Sequence, residues 1–190
     1  MSPQEFDPGP LAEVEHHTEG GRSTLVFVRH LRHAPARVWA ALTDPAQLRQ
    51  WAPFRPDRDL ATVGPATLRM TDGQNTEEFA AEVRRVVAPR LLEYTWGDDL
   101  LRWELAPEGA GTRLTLRHTV DAPDWLPRAA AGWHICLVVA ERLLDGEPIG
   151  PIVGLDAKNY GWDELHDEYA AKLGISGGGW PDTAEGPMPG

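Results

Sequence analysis

Leu92-Glu93-Tyr94-Thr95-Trp96-Gly97-Asp98-Asp99-Leu100-Leu101-Arg102-Trp103-Glu104-Leu105 is the stretch whose reading decides the fold. Leu92, Tyr94 and Trp96 alternate with polar residues, and Leu101, Trp103 and Leu105 do so again after Gly97-Asp98-Asp99. A side-chain period of two puts each apolar trio on one face of an extended segment, and Gly-Asp-Asp is a turn signal. The stretch therefore predicts an antiparallel hairpin with one dry face and one wet face.

The same pattern continues in both directions. Leu68 and Met70 alternate before Thr71-Asp72-Gly73, and Phe79, Ala81 and Val83 alternate after it. Pro107-Glu108-Gly109-Ala110-Gly111 predicts another hairpin, beyond which Leu114, Leu116 and His118 line a last strand. Upstream, Thr24 to Leu31 reads as a half-buried strand stopped by His33-Ala34-Pro35. Pro35 suits a first helical turn, and Val38, Trp39, Ala41 and Leu42 follow at helical spacing. Asp44-Pro45 caps a second short helix that carries Leu48 and Trp51 inward.

Downstream the period changes to helical from about Arg128 to Leu144, with Trp133, Cys136, Leu137, Ala140, Leu143 and Leu144 as an apolar stripe. A link containing Gly150-Pro151 leads to a final helix from Asp163 to Leu173 that turns Leu165, Tyr169 and Leu173 inward. Its opposite face, with Glu164, Asp167 and Glu168, is expected in solvent, as is His166. The class expected is α+β: a helix-grip fold in which a curved antiparallel sheet wraps a long C-terminal helix, with two short helices after the first strand. The chain divides into a flexible leader (1–22), the helix-grip domain (23–146), a linker with an extra C-terminal helix (147–175) and a disordered tail (176–190). In the leader only Leu11 and Val14 are apolar docking points.

Composition narrows the function classes. A chain of 190 residues with 42% hydrophobic content and eight Trp is long enough for one packed core. No apolar run approaches the roughly 20 residues of a membrane span, and the N-terminus has neither the basic nor the apolar region of a secretory signal. A cytoplasmic location is expected. The one cysteine, Cys136, leaves the fold without an internal disulfide. Residues 1–22 hold five acids and one base, 141–190 ten acids and three bases, and 23–140 fourteen of each. Neither the acidic flanks nor the neutral centre offers the cationic stripe that nucleic-acid binding needs.

Chemistry can be pruned by counting. The serines, Ser2, Ser23 and Ser176, lie at or near the edges of the expected domain, and both lysines, Lys158 and Lys172, lie beyond the main helix. A buried serine nucleophile and a Schiff-base lysine are thus disfavoured. Cys136 on an apolar helix face reads as inert. No paired-Cys or His-Glu-x-x-His spacing offers a metal site, and no cofactor motif is present. The expected ligand-binding wall is Leu68, Met70, Phe79, Tyr94, Trp96, Trp103 and His118 from the sheet, with Trp133, His134 and Leu137 from the helix. The competing reading of the aromatics is that they fill the core, and of His118 and His134 that they are hydrogen-bonded structural groups.

Three stretches carry a resemblance: Arg29 to Pro45 with Leu48 and Trp51; Glu93 to Gly97 with Arg102 to Leu105 and Gly111 to Leu116; and Ala131-Gly132-Trp133-His134. Together they resemble the SRPBCC superfamily (START-related, birch-pollen-allergen-like), in the branch named after the activator of the 90-kilodalton heat-shock protein ATPase. The likeness covers roughly residues 23–146. It implies a cavity between sheet and helix, used elsewhere in the superfamily for lipids, sterols, polyketides or hormones. The function expected is non-catalytic binding of an apolar or amphipathic small molecule there. The alternatives are a polyketide-cyclase or dehydratase-like enzyme in which His118 or Tyr94 moves a proton, and a chaperone-activator-like module that meets a protein partner or a second copy.

Overall fold

Every alternating run becomes a strand of one antiparallel sheet in the computed structural model, which describes residues 1–71 and 77–176. In chain order the elements are β1 (Glu13–Glu19), β2 (Arg22–Leu31), α1 (Pro35–Thr43), α2 (Pro45–Leu48), β3 (Phe54–Pro56), β4 (Gly64–Met70), β5 (Glu78–Val87), β6 (Leu91–Trp96), β7 (Asp99–Glu108), β8 (Gly111–Val120), α3 (Leu126–Leu144) and α4 (Trp162–Leu173). The strand order is β1-β2-β8-β7-β6-β5-β4-β3, so the first long strand pairs with the last and the meander curls away from that seam. The central hairpin has the register its alternation requires, with Leu92 opposite Trp103 and Tyr94 opposite Leu101.

Local chemistry explains the junctions. The Asp44 carboxylate accepts the Ala46 backbone N–H at 2.8 Å and caps α2. Trp51 buries its ring and donates its indole N–H to the Ala41 carbonyl at 2.9 Å, which ties α2 to α1. At the β2–β8 seam, a Cβ on Gly111 would collide with the Leu31 carbonyl oxygen, so glycine is what lets β8 begin there.

Helix α3 lies across the concave face of the sheet. Sixteen of its 19 residues are buried, more than a single stripe requires, because α4 packs on its other side. Arg29 on β2 donates to Glu141 on α3 at 2.7 Å and pins the helix across the seam. A continuous cluster of buried apolar residues runs from Phe6 to Leu173 and includes both helices.

Two expectations need correction. The leader is not loose throughout: residues 13–19 form strand β1 and pair with β2 along its length, from Glu13 opposite Val28 to Glu19 opposite Arg22. Apart from Val14, every residue of this edge strand is exposed, so it shows no apolar alternation and its sequence, rich in Glu and His, disguised it. His166 is not in solvent. Its ring is buried and stacks on Trp162 with centroids 5.1 Å apart, because residues 162, 165, 166 and 169 share the face turned to α3. Leu11 and Val14 do pack against the core, and Glu164, Asp167 and Glu168 are exposed as expected. The turn expected at Asp72-Gly73 and the tail from 177 onward lie outside the described residues. No described helix is long and apolar enough to cross a membrane.

Candidate functional site

Antiparallel topology brings the end of β4, the start of β5, the end of β6, the start of β7 and the end of β8 to one end of the sheet. Met70, Phe79, Trp96, Asp99 and His118 occupy those positions, and α3 lays Trp133 over them. Phe79, half-buried, packs against Gly97 in the β6–β7 turn. Tyr94, Trp103 and Leu68 lie deeper and are fully buried, as is Leu137 one turn along α3 from Trp133.

The rings interlock. Trp133 meets Trp103 edge-on at 5.3 Å and Trp96 at 6.2 Å, while Trp96 stacks on His118 at 6.3 Å. Phe54 and Trp51, which the sequence reading had not placed in the site, complete the cluster: Phe54 lies 5.1 Å from Trp96 and Trp51 lies 6.3 Å from Trp103. Such edge-to-face pairs suit the ring quadrupoles and add to the large apolar area each ring removes from water.

Polar groups thread this apolar interior. The Trp133 indole N–H donates to His118 Nδ1 at 3.0 Å, which leaves the proton on Nε2, and Nε2–H donates to Asp99 Oδ2 at 2.8 Å. His118 is completely buried, whereas the Asp99 side chain is 19% exposed, so the chain of bonds runs from the interior to the rim. Asp99 also escaped the sequence reading, as a turn residue. The missed signal is parity: it alternates with Leu101, Trp103 and Leu105 and so shares their concave face. Trp103 Nε1 donates to the Tyr94 hydroxyl at 3.2 Å. Among the described residues no acceptor receives the Tyr94 proton, and burial holds the phenol far above its ordinary pKa.

His134 stands apart from this cluster. Its Nε2–H donates to the Pro8 carbonyl at 2.7 Å, and its Nδ1 accepts the Tyr169 hydroxyl at 2.6 Å. Tyr169 in turn accepts the Ala12 backbone N–H at 2.9 Å. The pair ties the N-terminal segment to α3 and α4. Burial pushes His134 down to about 4 and the Tyr169 phenol up to about 12, so both stay neutral at physiological pH. Burial likewise pushes the Cys136 thiol up to about 12. No cluster of three or more His, Cys, Asp or Glu side chains suited to a metal ion occurs among the described residues.

A curled antiparallel sheet gripping a long C-terminal helix, with an aromatic interior open to polar groups at one rim, defines a helix-grip protein of the START-related superfamily. More narrowly, the chain belongs to the family described as activator of Hsp90 ATPase homolog 1-like protein, whose model matches residues 32–144. Among solved structures it is similar to CalU16 from Micromonospora echinospora at 18% identity, covering 84% of this chain and 95% of that one, with a TM-score of 0.62. It is also similar to EF2215 from Enterococcus faecalis, described as a conserved protein of unknown function, at 15% identity over 84% of this chain and 90% of that one, TM-score 0.64. An AHSA1-like protein from Aeromonas hydrophila matches at 21% identity over 65% of this chain and 92% of that one, TM-score 0.55. No curated protein sequence matches the chain.

Proposed function

We propose that this chain is a cytoplasmic, non-catalytic binding protein that takes an apolar or amphipathic small molecule between the sheet and α3, entering at the rim formed by Asp99, Trp96 and Phe79. The observation that carries the reading is the commitment of the interior's polar groups. Both ring nitrogens of His118 are engaged by Trp133 and Asp99, which leaves neither to take a proton from a substrate. Tyr94 is held in its protonated form and keeps one hydrogen-bond donor to spare. Such a set orients a ligand without transforming it.

The aromatic rings fill the interior, so a ligand must displace some of them. Trp96 and Trp133 are the rings packed on His118, and their movement is the cost that binding overcomes. Four tryptophans, Trp51, Trp96, Trp103 and Trp133, line the interior, so a guest that moves them changes the intrinsic fluorescence. Titration with a graded series of fatty acids, sterols and aromatic polyketides tests the reading. A saturable change in emission, weakened by Tyr94→Phe, supports it. Emission that stays constant across the whole series overturns it.

A further inference from the structure

A second concavity lies on the opposite side of the sheet. We propose that the groove on the convex face, where the β5–β6 turn meets the ends of β7 and β8, binds a small amphipathic anion: a carboxylate or phosphate monoester head on a short apolar body. The site is separate from the interior, and the proposal stands whether or not the interior takes a ligand.

The groove has a volume of about 480 Å³, within the range of small-molecule sites. Register explains its shape. Ala106 faces Arg113 across β7 and β8, and Glu104 faces Thr115, so the small Ala106 side chain leaves a depression between longer neighbours. The Arg90 carbonyl accepts the Leu105 backbone N–H at 2.9 Å, which folds the β5–β6 turn against β7 as the groove's other wall. Val87 and Leu91 supply an apolar surface, and Val87 is 41% exposed.

Charge gives the groove its ligand class. Its lining holds three arginines, Arg90, Arg102 and Arg113, against one acid, Glu104, in a chain whose net charge is −11. Glu104 is already spent, because one of its oxygens accepts from Arg102 at 2.7 Å and from Arg117 at 3.0 Å. Neither guanidinium of Arg90 or Arg113 forms a hydrogen bond or ion pair among the described residues, although the charge of Arg113 reaches the Glu13 carboxylate and helps to lower its pKa. Two unspent guanidiniums beside an apolar wall match an anionic head with an apolar tail, since guanidinium forks pair with carboxylate and phosphate oxygens. The acidic excess of the chain lies in its flanks, 1–22 and 141–190, rather than in the strands that form this groove, so the groove's own charges set its local field.

The test is a ¹H–¹⁵N NMR titration of the full chain with octanoate, octyl phosphate and, as the neutral control, octan-1-ol. The expected result is saturable movement of the Leu91, Ala106 and Thr115 amides by at least one anion, with an affinity about tenfold or more above that for the alcohol and weakened by salt. The better of the two anions names the head group. The double variant Arg90→Ala, Arg113→Ala changes two exposed side chains, so it should keep its melting temperature while losing about tenfold or more in affinity. Ala106→Trp should abolish binding with all the charges in place. Equal affinity for the alcohol, an unchanged Kd in the double variant, or movement confined to interior residues such as Leu101 would overturn the proposal.

Discussion

Trp133 donates its indole N–H to Nδ1 of His118 across 3.0 Å, joining the helix to the sheet through two fully buried side chains. One bond thereby settles the tautomer of His118, aims its remaining proton at Asp99 and locks α3 in register over β8. Replacing Trp133 by Phe keeps an aromatic ring but strands a buried acceptor and removes part of the packing. The expected loss is on the order of 2–4 kcal/mol of unfolding free energy, measured by urea denaturation. A loss below about 0.5 kcal/mol would mean that the bond is incidental.

Stability should fall on acidification because of His134. Its folded pKa lies near 4, below the ordinary 6.5, so the unfolded chain binds a proton that the folded chain refuses. The stabilisation is complete above about pH 6.5 and is lost as the pH falls toward 4, by up to about 3 kcal/mol. Urea midpoints taken between these limits should show that slope, and His134→Leu should flatten it.

Tyr169 is the other half of that fastening. Tyr169→Phe removes the acceptor for the Ala12 N–H and the donor to His134 Nδ1. Hydrogen exchange should accelerate at Ala12 and along β1, with β7 and β8 unchanged, at a cost of about 2–3 kcal/mol. Uniform acceleration across the sheet would show that the N-terminal segment is not a separable unit.

The edge strand should respond to pH in the opposite sense. His30 bridges Glu108 at 2.6 Å and Glu13 at 2.8 Å, and these carboxylates raise its pKa. The bridge is complete below pH 6.5 and is lost as the pH rises through the raised value. Protection of the β1 amides should therefore decline as His30 deprotonates, and His30→Gln should remove that dependence.

Cys136 should resist thiol reagents in the native state. Burial pushes its pKa up to about 12, so the thiolate is scarce and shielded. Labelling at pH 8 should follow the rate of unfolding. Rapid native labelling would mean that α3 opens readily.

The meander was legible because most of its strands bury chiefly one face: Leu92, Tyr94 and Trp96 announce their side by alternation, whereas β2 buries both parities from Leu25 to Val28. β1 was not, since an edge strand held by main-chain bonds leaves no apolar alternation beyond the single Val14, and Glu13, Glu15 and Glu19 look like a solvated leader. His118, Trp96, Trp103, Tyr94 and Trp133 were readable as one group because strand parity and helix spacing converge on it. Asp99 was hidden by its turn composition. His134 was ambiguous and His166 was wrongly placed in solvent because local spacing does not say what covers a helix face: α4 and the N-terminal segment bury His134, and α3 buries His166, all from distant sequence.

Native mass spectrometry after incubation with a small-molecule extract of the expression host tests the central claim most directly. The account predicts a complex with one extra mass per chain, of unaltered chemical composition on release, and reduced in Tyr94→Phe. A bare chain under every loading condition, or release of a chemically converted molecule, would contradict it.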